Sequence, residues 1–481
     1  MVSSRTTTRA PNRPAPIEAR YIPEPLLVFG GGGKHVDPKE GIARFGPYSA
    51  SDVGRHPRQI RVGIVGSAET ISETREWMQA AALGVPGEGP HLSFPGFQPD
   101  RGFFADMSFS EHWDQHITQT ELATISKLGG QARFEAIVLL VDEKVELLAQ
   151  SDQPPTYVVL ALPKRLLLSK SVTFEDPGLG WVQRDLRRAL KARTMRHHLV
   201  TQILLSDTPR LDRTPGQDHP AAIAWDFFTG MYYKGGGLPW APVGLPPQTC
   251  FIGVSFYRAL GSKRTNMQTS LVQAFDQHGE GLILRGHEFE WDPQREESRS
   301  PHLNAEMAAA LVDLALDHYE RAMNLRPRRV VIHKTSRFLS DEETGFKEAL
   351  RKRTDLFDLV AVHPSSDARL FPESKYPPLR GTSFRVDDLD YLYTTGFIPE
   401  LADFPYGRHV PVPLFLADHI GQDTSRDALL REVLILTKLN WNSTRLGGLL
   451  PITVRFSRQV GDILKELPDG HNPLPQAKFY M

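Results

Sequence analysis

The residues best spaced for chemistry lie in WVQRDLRRALKARTMRHHLVTQIL, residues 181–204. Read as a helix, this stretch puts Arg187 and Lys191 four apart on one face. Gln202 follows eleven residues after Lys191, at the start of the strand-like TQILL. Further on, AAIAWDFFTGMYYKGGGLPW (221–240) reads as an apolar helix ending at Lys234, before three glycines. Together these side chains would form a convergent anion pocket, closed by charge-assisted hydrogen bonds. Each also has a plainer use. A lysine at a helix end before glycine is ordinarily a cap, and a basic helix face is ordinarily a solvated one.

Other motifs carry less. GGGGK at 30–34 suggests a phosphate-cradling loop, but His35 stands where Ser or Thr is needed. GIVGS at 63–67 lacks the glycine spacing of a dinucleotide fingerprint. HGEGLILRGHEFEWD (278–292) brings acids and histidines close in sequence, but on a strand alternate residues point apart. The single cysteine, Cys250, opens an apolar strand and reads as a small buried residue; one cysteine excludes an internal disulfide.

The elements that must position the pocket alternate along the chain. RVGIVG (61–66) reads as a strand, followed by a helix near Glu69 to Ala82. FEAIVLLVD (134–142) and TYVVLALP (156–163) are continuous apolar runs that read as buried strands, implying a mostly parallel sheet. Pro-rich stretches at 207–219 and 238–248 follow. A second block opens with three strand-like runs: TCFIGVSFY (249–257), LVQAFD (271–276) and GLILRG (281–286). Then come a helix over 304–323, the strand RRVVIHK (328–334), the helix EETGFKEALRKR (342–353) and the strand DLVAVHP (358–364). Meander, helix, strand, helix, strand is the order of the ribonuclease H fold. The expectation is two α/β domains broken near residue 240.

Composition agrees with a globular chain. It has 481 residues, 40% hydrophobic and 23% charged, with 38 Gly and 38 Pro, a length that suggests roughly two to four domains. No run of about 18 apolar residues could span a membrane. The N-terminal MVSSRTTTRAPNRPAPIEARY has no apolar core of a signal peptide, so the expected location is the cytoplasm. The 56 basic against 57 acidic residues count mildly against a nucleic-acid binder without excluding one.

At this point the residues resemble a known family. Arg187, Lys191, Gln202 and Lys234 resemble the pocket of Argonaute MID domains that grips a guide strand's 5′-phosphate, and YYKGGGLPW resembles the passage into the PIWI domain. CFIGVSFYR, RRVVIHKTSRF and YTTGF (393–397) resemble PIWI strands. HVPVPLFLADHIGQ and LTKLNWNSTRLGGLLPITVRFSRQVGDIL (436–464) resemble its C-terminal stretch. EPLLVFGGGGKHVDPKEGIARFGPYS resembles the opening of the short prokaryotic class, which lacks the N-terminal and PAZ domains. The resemblance implies an α/β chain, a Rossmann-like MID domain followed by a ribonuclease-H-like PIWI domain. The expected divisions are a disordered tail (1–20), a loop-rich segment packed on the core (21–60), MID (61–240) and PIWI (241–481).

The resemblance also implies residue roles. Arg187, Lys191, Gln202, Lys234 and the Met481 carboxylate would hold the guide 5′ end, the last through a structural Mg²⁺. Asn440, Asn442 and Arg455 would contact the guide backbone, although Asn440 to Asn442 also reads as a plain helix-ending turn. Slicing members hold two Mg²⁺ ions in a carboxylate tetrad. Here the corresponding positions read as Ser255, Lys334 and Asp418, so the expected protein binds without cutting. Short members act beside an APAZ-domain protein carrying an effector: a sirtuin-like or Toll/interleukin-receptor-like NAD hydrolase, or a nuclease. The implied function is recognition of invader DNA by a guide RNA in antiviral or anti-plasmid defence. Two other classes stand beside it: a metal-dependent nuclease using Asp276, Glu280 and Asp418, and a scaffold that binds no nucleic acid.

Overall fold

The computed structural model describes residues 17–52, 54–168, 170–205, 217–263, 265–273, 281–292, 294, 300–374, 376–401, 410–421, 424–446, 448–467 and 473–481. Most of the expected tail, most of the 207–219 stretch, and Asp276 and Glu280 lie outside the described residues.

The first block contains β1 (Gln59–Gly66), α1 (Ala68–Ala82), β2 (Asp106–His116), α2 (Gly130–Ala149) and β3 (Tyr157–Ala161). It continues through a hairpin, β4 (Ser171–Asp176) and β5 (Gly180–Asp185), to α3 (Leu186–Thr194), β6 (Thr201–Leu204) and α4 (Pro220–Lys234). The sheet order is β6-β3-β1-β2, parallel throughout. Helices on both faces bury β3 completely, which is why TYVVLA is apolar without alternation.

The structure differs from the sequence expectation at two elements. FEAIVLLVD is part of helix α2, not a strand. A short apolar run does not distinguish a strand from a buried helix; here the periodic pattern extends over 20 residues, with Ile137, Val141, Val145 and Leu148 inward and Leu139, Glu143 and Leu147 outward. Residues 181–185 are strand β5, so the basic helix begins only at Leu186.

The second block contains β7 (Thr249–Tyr257), β8 (Asn266–Gln273), β9 (Leu282–Glu290), α5 (Ala305–Met323), β10 (Arg329–Lys334), α6 (Ser340–Arg353) and β11 (Leu356–Pro364). It closes with β12 (Thr382–Val386), β13 (Leu389–Leu392), β14 (Leu414–Gly421), α7 (Arg426–Leu436) and α8 (Ile452–Leu464). A nine-stranded sheet runs from the strand Ala19–Tyr21 through β12-β13-β14-β11-β10-β7-β8-β9. β7, β8 and β9 form the antiparallel meander, while β10 and β11 run parallel to β7, the ribonuclease-H order expected from sequence. Helices α5 and α6 pack on one face, where Leu311, Leu316, Phe346 and Leu350 meet Ile252 and Ile332. Helix α8 covers the other, and its approach requires glycine: a methyl at Gly253 would sit 2.0 Å from the Thr453 carbonyl.

The two sheets share one core, in which Trp225 and Phe228 of α4 join Phe251, Val360, Val433 and Trp441. The N-terminal segment crosses both. Its first strand pairs with β12, and Leu27–Val28 pairs with Ala241–Pro242. Buried Glu24 takes Arg380 and Lys438, each at 2.8 Å, and burial pulls the Lys438 ammonium down to about 8. Among the described residues, no helix is long and apolar enough to cross a membrane.

Candidate nucleic-acid interface

Helix α3 starts where the Asp185 side chain accepts from the Arg188 N–H at 3.1 Å, an N-cap that fixes the helix phase. That phase buries Leu186, Ala189 and Leu190 against the first block, and sets Arg187 and Lys191 one turn apart. Arg187 stays exposed at the mouth, while Lys191 is only 3% exposed. Its ammonium donates to the Thr201 carbonyl at 3.3 Å and to the main-chain oxygen of Met481. Lys234, 1% exposed, donates to the same Thr201 carbonyl at 3.4 Å and to Gln202 Oε1. The capping use of Lys234 is therefore not what the structure has: the side chain serves strand β6. Four of the five residues expected at the guide end are joined in one hydrogen-bonded chain, Met481–Lys191–Thr201–Lys234–Gln202.

Two ammonium groups buried side by side on one shared carbonyl are electrostatically costly. Burial, then Lys234 and Arg187, push the Lys191 ammonium well below its ordinary value. Burial, then Arg187, pull Lys234 down to about 7. Among the described residues, no carboxylate side chain is paired with either lysine. The pocket has an excess of positive charge that an entering anion would neutralise.

Helix α8 supplies the opposite wall. Arg455 and Arg458, three apart and exposed, line a cleft of about 420 Å³ with Arg187, Arg188 and Lys191. Gln459 of the same helix holds the Tyr480 carbonyl at 3.0 Å, which anchors the buried Tyr480–Met481 pair. Arg455 was expected at the interface; Arg188, Arg458 and Gln459 were not, because their place depends on packing between two distant helices. Gln202 also faces a second cavity, of about 550 Å³, lined by Asn442, Lys164 and Lys170. Asn440 instead accepts from the Asn442 N–H at 3.4 Å, the plain turn-forming use. The loop is tied to α4 by Asp226, which accepts from Thr444 N at 2.8 Å and from both hydroxyls of Ser443 and Thr444 at 3.1 Å.

The expected slicer positions do not converge. Parallel pairing sets Gly253 opposite His333, so Val254 shares a face with Lys334, and Ser255 points to the other side. Lys334 lies among α5 and α6, bonded to Glu342 and 4.7 Å from the Phe338 ring centroid. Asp418 is on that same side, across Ala361, and accepts from the Phe338 N–H at 2.9 Å. Ser255 faces α8, where its hydroxyl has no partner among the described residues. His333, on Ser255's face, is bonded to Thr453 at 2.9 Å and held by burial at about 3, hence neutral. Register carried one step past β10 sets Thr335, not Lys334, level with Ser255. Lys334 therefore lies on the face away from Ser255, because one step along a strand changes the face.

No family model matches the sequence, and neither does any curated protein sequence. Solved structures do match. Clostridium butyricum Argonaute, bound to a guide DNA and a 19-mer target DNA, superposes with a TM-score of 0.63 at 15% identity. The alignment covers 94% of this chain and 54% of that one. The fold is Argonaute-like. A structure of Aa-Ago with externally bound siRNA gives 0.60 at 14% identity over 96% of this chain and 56% of that one. Drosophila Piwi gives 0.59 at 14% over the same shares. The chain spans about half the length of these Argonaute and Piwi structures. Its architecture is thus a Rossmann-like MID-type α/β unit followed by a ribonuclease-H-like PIWI-type unit.

Proposed function

We propose that this chain binds a short guide RNA by its 5′-phosphate and uses it to recognise complementary invader DNA, leaving the chemistry to a partner. The observation that carries this is the buried Lys191–Lys234 pair, which among the described residues has no carboxylate side chain beside it and is flanked by Arg187 and the α8 arginines. A terminal phosphate carries close to two negative charges near neutral pH and several acceptor oxygens. The Argonaute structures bound to a guide DNA and a target DNA, or to an external siRNA, add support from fold. Competition between 5′-phosphorylated and 5′-hydroxyl RNA of one sequence tests it. The phosphorylated strand should bind roughly 10- to 150-fold more tightly, and equal affinity would overturn the reading.

A Mg²⁺ at this end would find the Met481 and Thr201 main-chain oxygens and Gln202 Oε1. All three already accept from lysines, so the ion fits where guide phosphates add further anionic ligands. When bound, it would be held by Met481 and Gln202 and would offset the negative charge of the guide's end.

The lysine environment fixes a pH dependence. In the guide-free protein Lys234 loses its proton above about 7, whereas a bound phosphate favours the ammonium. Affinity for phosphorylated strands should therefore fall above pH 7, by up to about tenfold per unit, and Lys234→Gln should flatten that limb. The stability of the guide-free protein moves the other way. Between about 7 and the ordinary 10.5 the unfolded chain binds a proton that the native one does not, so stability rises with pH across that window. Titrations of strand binding from pH 6 to 9 check the first statement; a flat profile would contradict it.

We expect no guide-dependent cutting of RNA or DNA with Mg²⁺ or Mn²⁺. Ser255 and Thr335 offer hydroxyls where two dications need carboxylates, and among the described residues no group of three His, Cys, Asp or Glu could hold a metal. Ser255→Asp alone should not restore cutting, since Thr335 remains. A discrete product opposite the middle of the guide would overturn this.

The effector is proposed to be an APAZ-domain protein of the kind that accompanies short prokaryotic Argonautes, with a sirtuin-like or Toll/interleukin-receptor-like NAD hydrolase or a nuclease attached. Target recognition would release its activity in cytoplasmic antiviral or anti-plasmid defence. Co-expression with an APAZ-effector protein should give one complex in size exclusion, and independent elution would contradict the partnership.

A further inference from the structure

Helix α3, which carries Arg187 and Lys191, is tied to the α8 region by two ion pairs of opposite character. Arg184, just before α3, is 10% exposed and donates to Glu466, whose side chain is fully buried, at 2.7 Å. Four residues on, in the first turn of α3, Arg188 pairs with Asp462 of α8 at 2.7 Å, with both side chains about two-fifths exposed, at 42% and 41%. The other Asp462 oxygen lies 3.9 Å from Lys465. The buried pair is a fixed bolt, because breaking it would leave a charge out of water. The exposed pair is weak, roughly 1.5- to 5-fold in an equilibrium constant, and can open without moving the helix.

Among the described residues, Asp462 is also the one carboxylate side chain lining a cleft that otherwise presents Arg187, Arg188, Lys191, Arg455 and Arg458. Lys191 lines the same cleft, so a strand whose 5′ end sits on it has that wall within reach of its next phosphodiesters. Resting on the guide-end reading above, we infer that Asp462 is a resident counter-ion that a guide phosphodiester displaces, and that Arg188 is the cation it releases to that phosphate. Asp462 thereby lowers the affinity of the cleft for polyanions in general. Strands without the terminal phosphate are left too weakly bound to stay, while the end pocket alone supplies the preference for the phosphate.

Removing the counter-ion should strengthen binding, the opposite sign from removing a structural clasp. Asp462→Asn should tighten both 5′-phosphorylated and 5′-hydroxyl RNA by the same factor, about threefold within the range of an exposed pair. Arg188→Gln should weaken both equally and reduce the slope of log affinity against log salt by about 0.7, one single-strand phosphate contact. Neither variant should change the ratio between the two strands, which only the lysine pocket sets. Full-length protein is titrated with both RNAs at several salt concentrations, with thermal unfolding in parallel. Asp462→Asn that binds unchanged or more weakly overturns the inference. So does Arg188→Gln that loses only the phosphorylated strand, since Arg188 then belongs to the end pocket. A wild-type protein that does not distinguish the strands defeats the guide-end reading instead.

Discussion

Replacing Glu342 with alanine should destabilise the fold by roughly 3–5 kcal/mol, the cost of stranding one partner of a buried ion pair. Lys334 and Glu342 are 1% and 0% exposed at their side chains. Glu342 also meets His302 Nδ1 at 3.3 Å and the Leu303 N–H at 3.4 Å. Burial lowers the affinity of Lys334 for its proton, and Glu342 works against that shift. Without the carboxylate, the lysine must shed its proton or water must reach it. The loss is a large share of a total stability near 5–15 kcal/mol. It should lower Tm by about 6–20 °C, at roughly 2–4 °C per kcal/mol for units of 150–250 residues. Lys334→Met combined with Glu342→Leu should recover most of it, because a matched apolar pair is often neutral or better. Thermal unfolding of the wild type, both single variants and the double checks this. A Glu342→Ala loss below about 1 kcal/mol, or strict additivity in the double, would contradict it.

That pair also shows where sequence reading stops. A lysine at the end of a central apolar strand is visible in RRVVIHK, but the face it uses is set by register, which is a property of pairing with β7. The strand order and most helices were legible, because Met307, Leu311 and Leu314 in α5 and the apolar TYVVLA of β3 carry their periods openly. Helix α2 was not, because its central VLL masks a helical period that only its full length exposes. In the pocket, Arg187 and Lys191 were legible as a helical pair, and Lys234 as a helix-end cation. The buried state of both lysines and their shared Thr201 carbonyl were not, since these depend on α3 and α4 converging on β6. Arg188, Asp462 and Arg458 were invisible for the same reason: no local pattern tells a cation in a nucleic-acid cleft from a solvated one.

The central claim is that Lys191 recognises a terminal phosphate and is not a general backbone contact. The measurement is a set of four titrations: 5′-phosphorylated and 5′-hydroxyl RNA on the wild type and on Lys191→Ala. The ammonium is buried one turn from Arg187 and shares the Thr201 carbonyl with Lys234, so its removal deletes a charged donor from a desolvated site. That should cost the phosphorylated strand roughly 1.5–3 kcal/mol, about 10- to 150-fold. The hydroxyl strand should change little, so the ratio between the two strands collapses. A loss of the same size for both strands, or none for either, would contradict the account and leave α3 as a basic helix with no part in reading the guide's end.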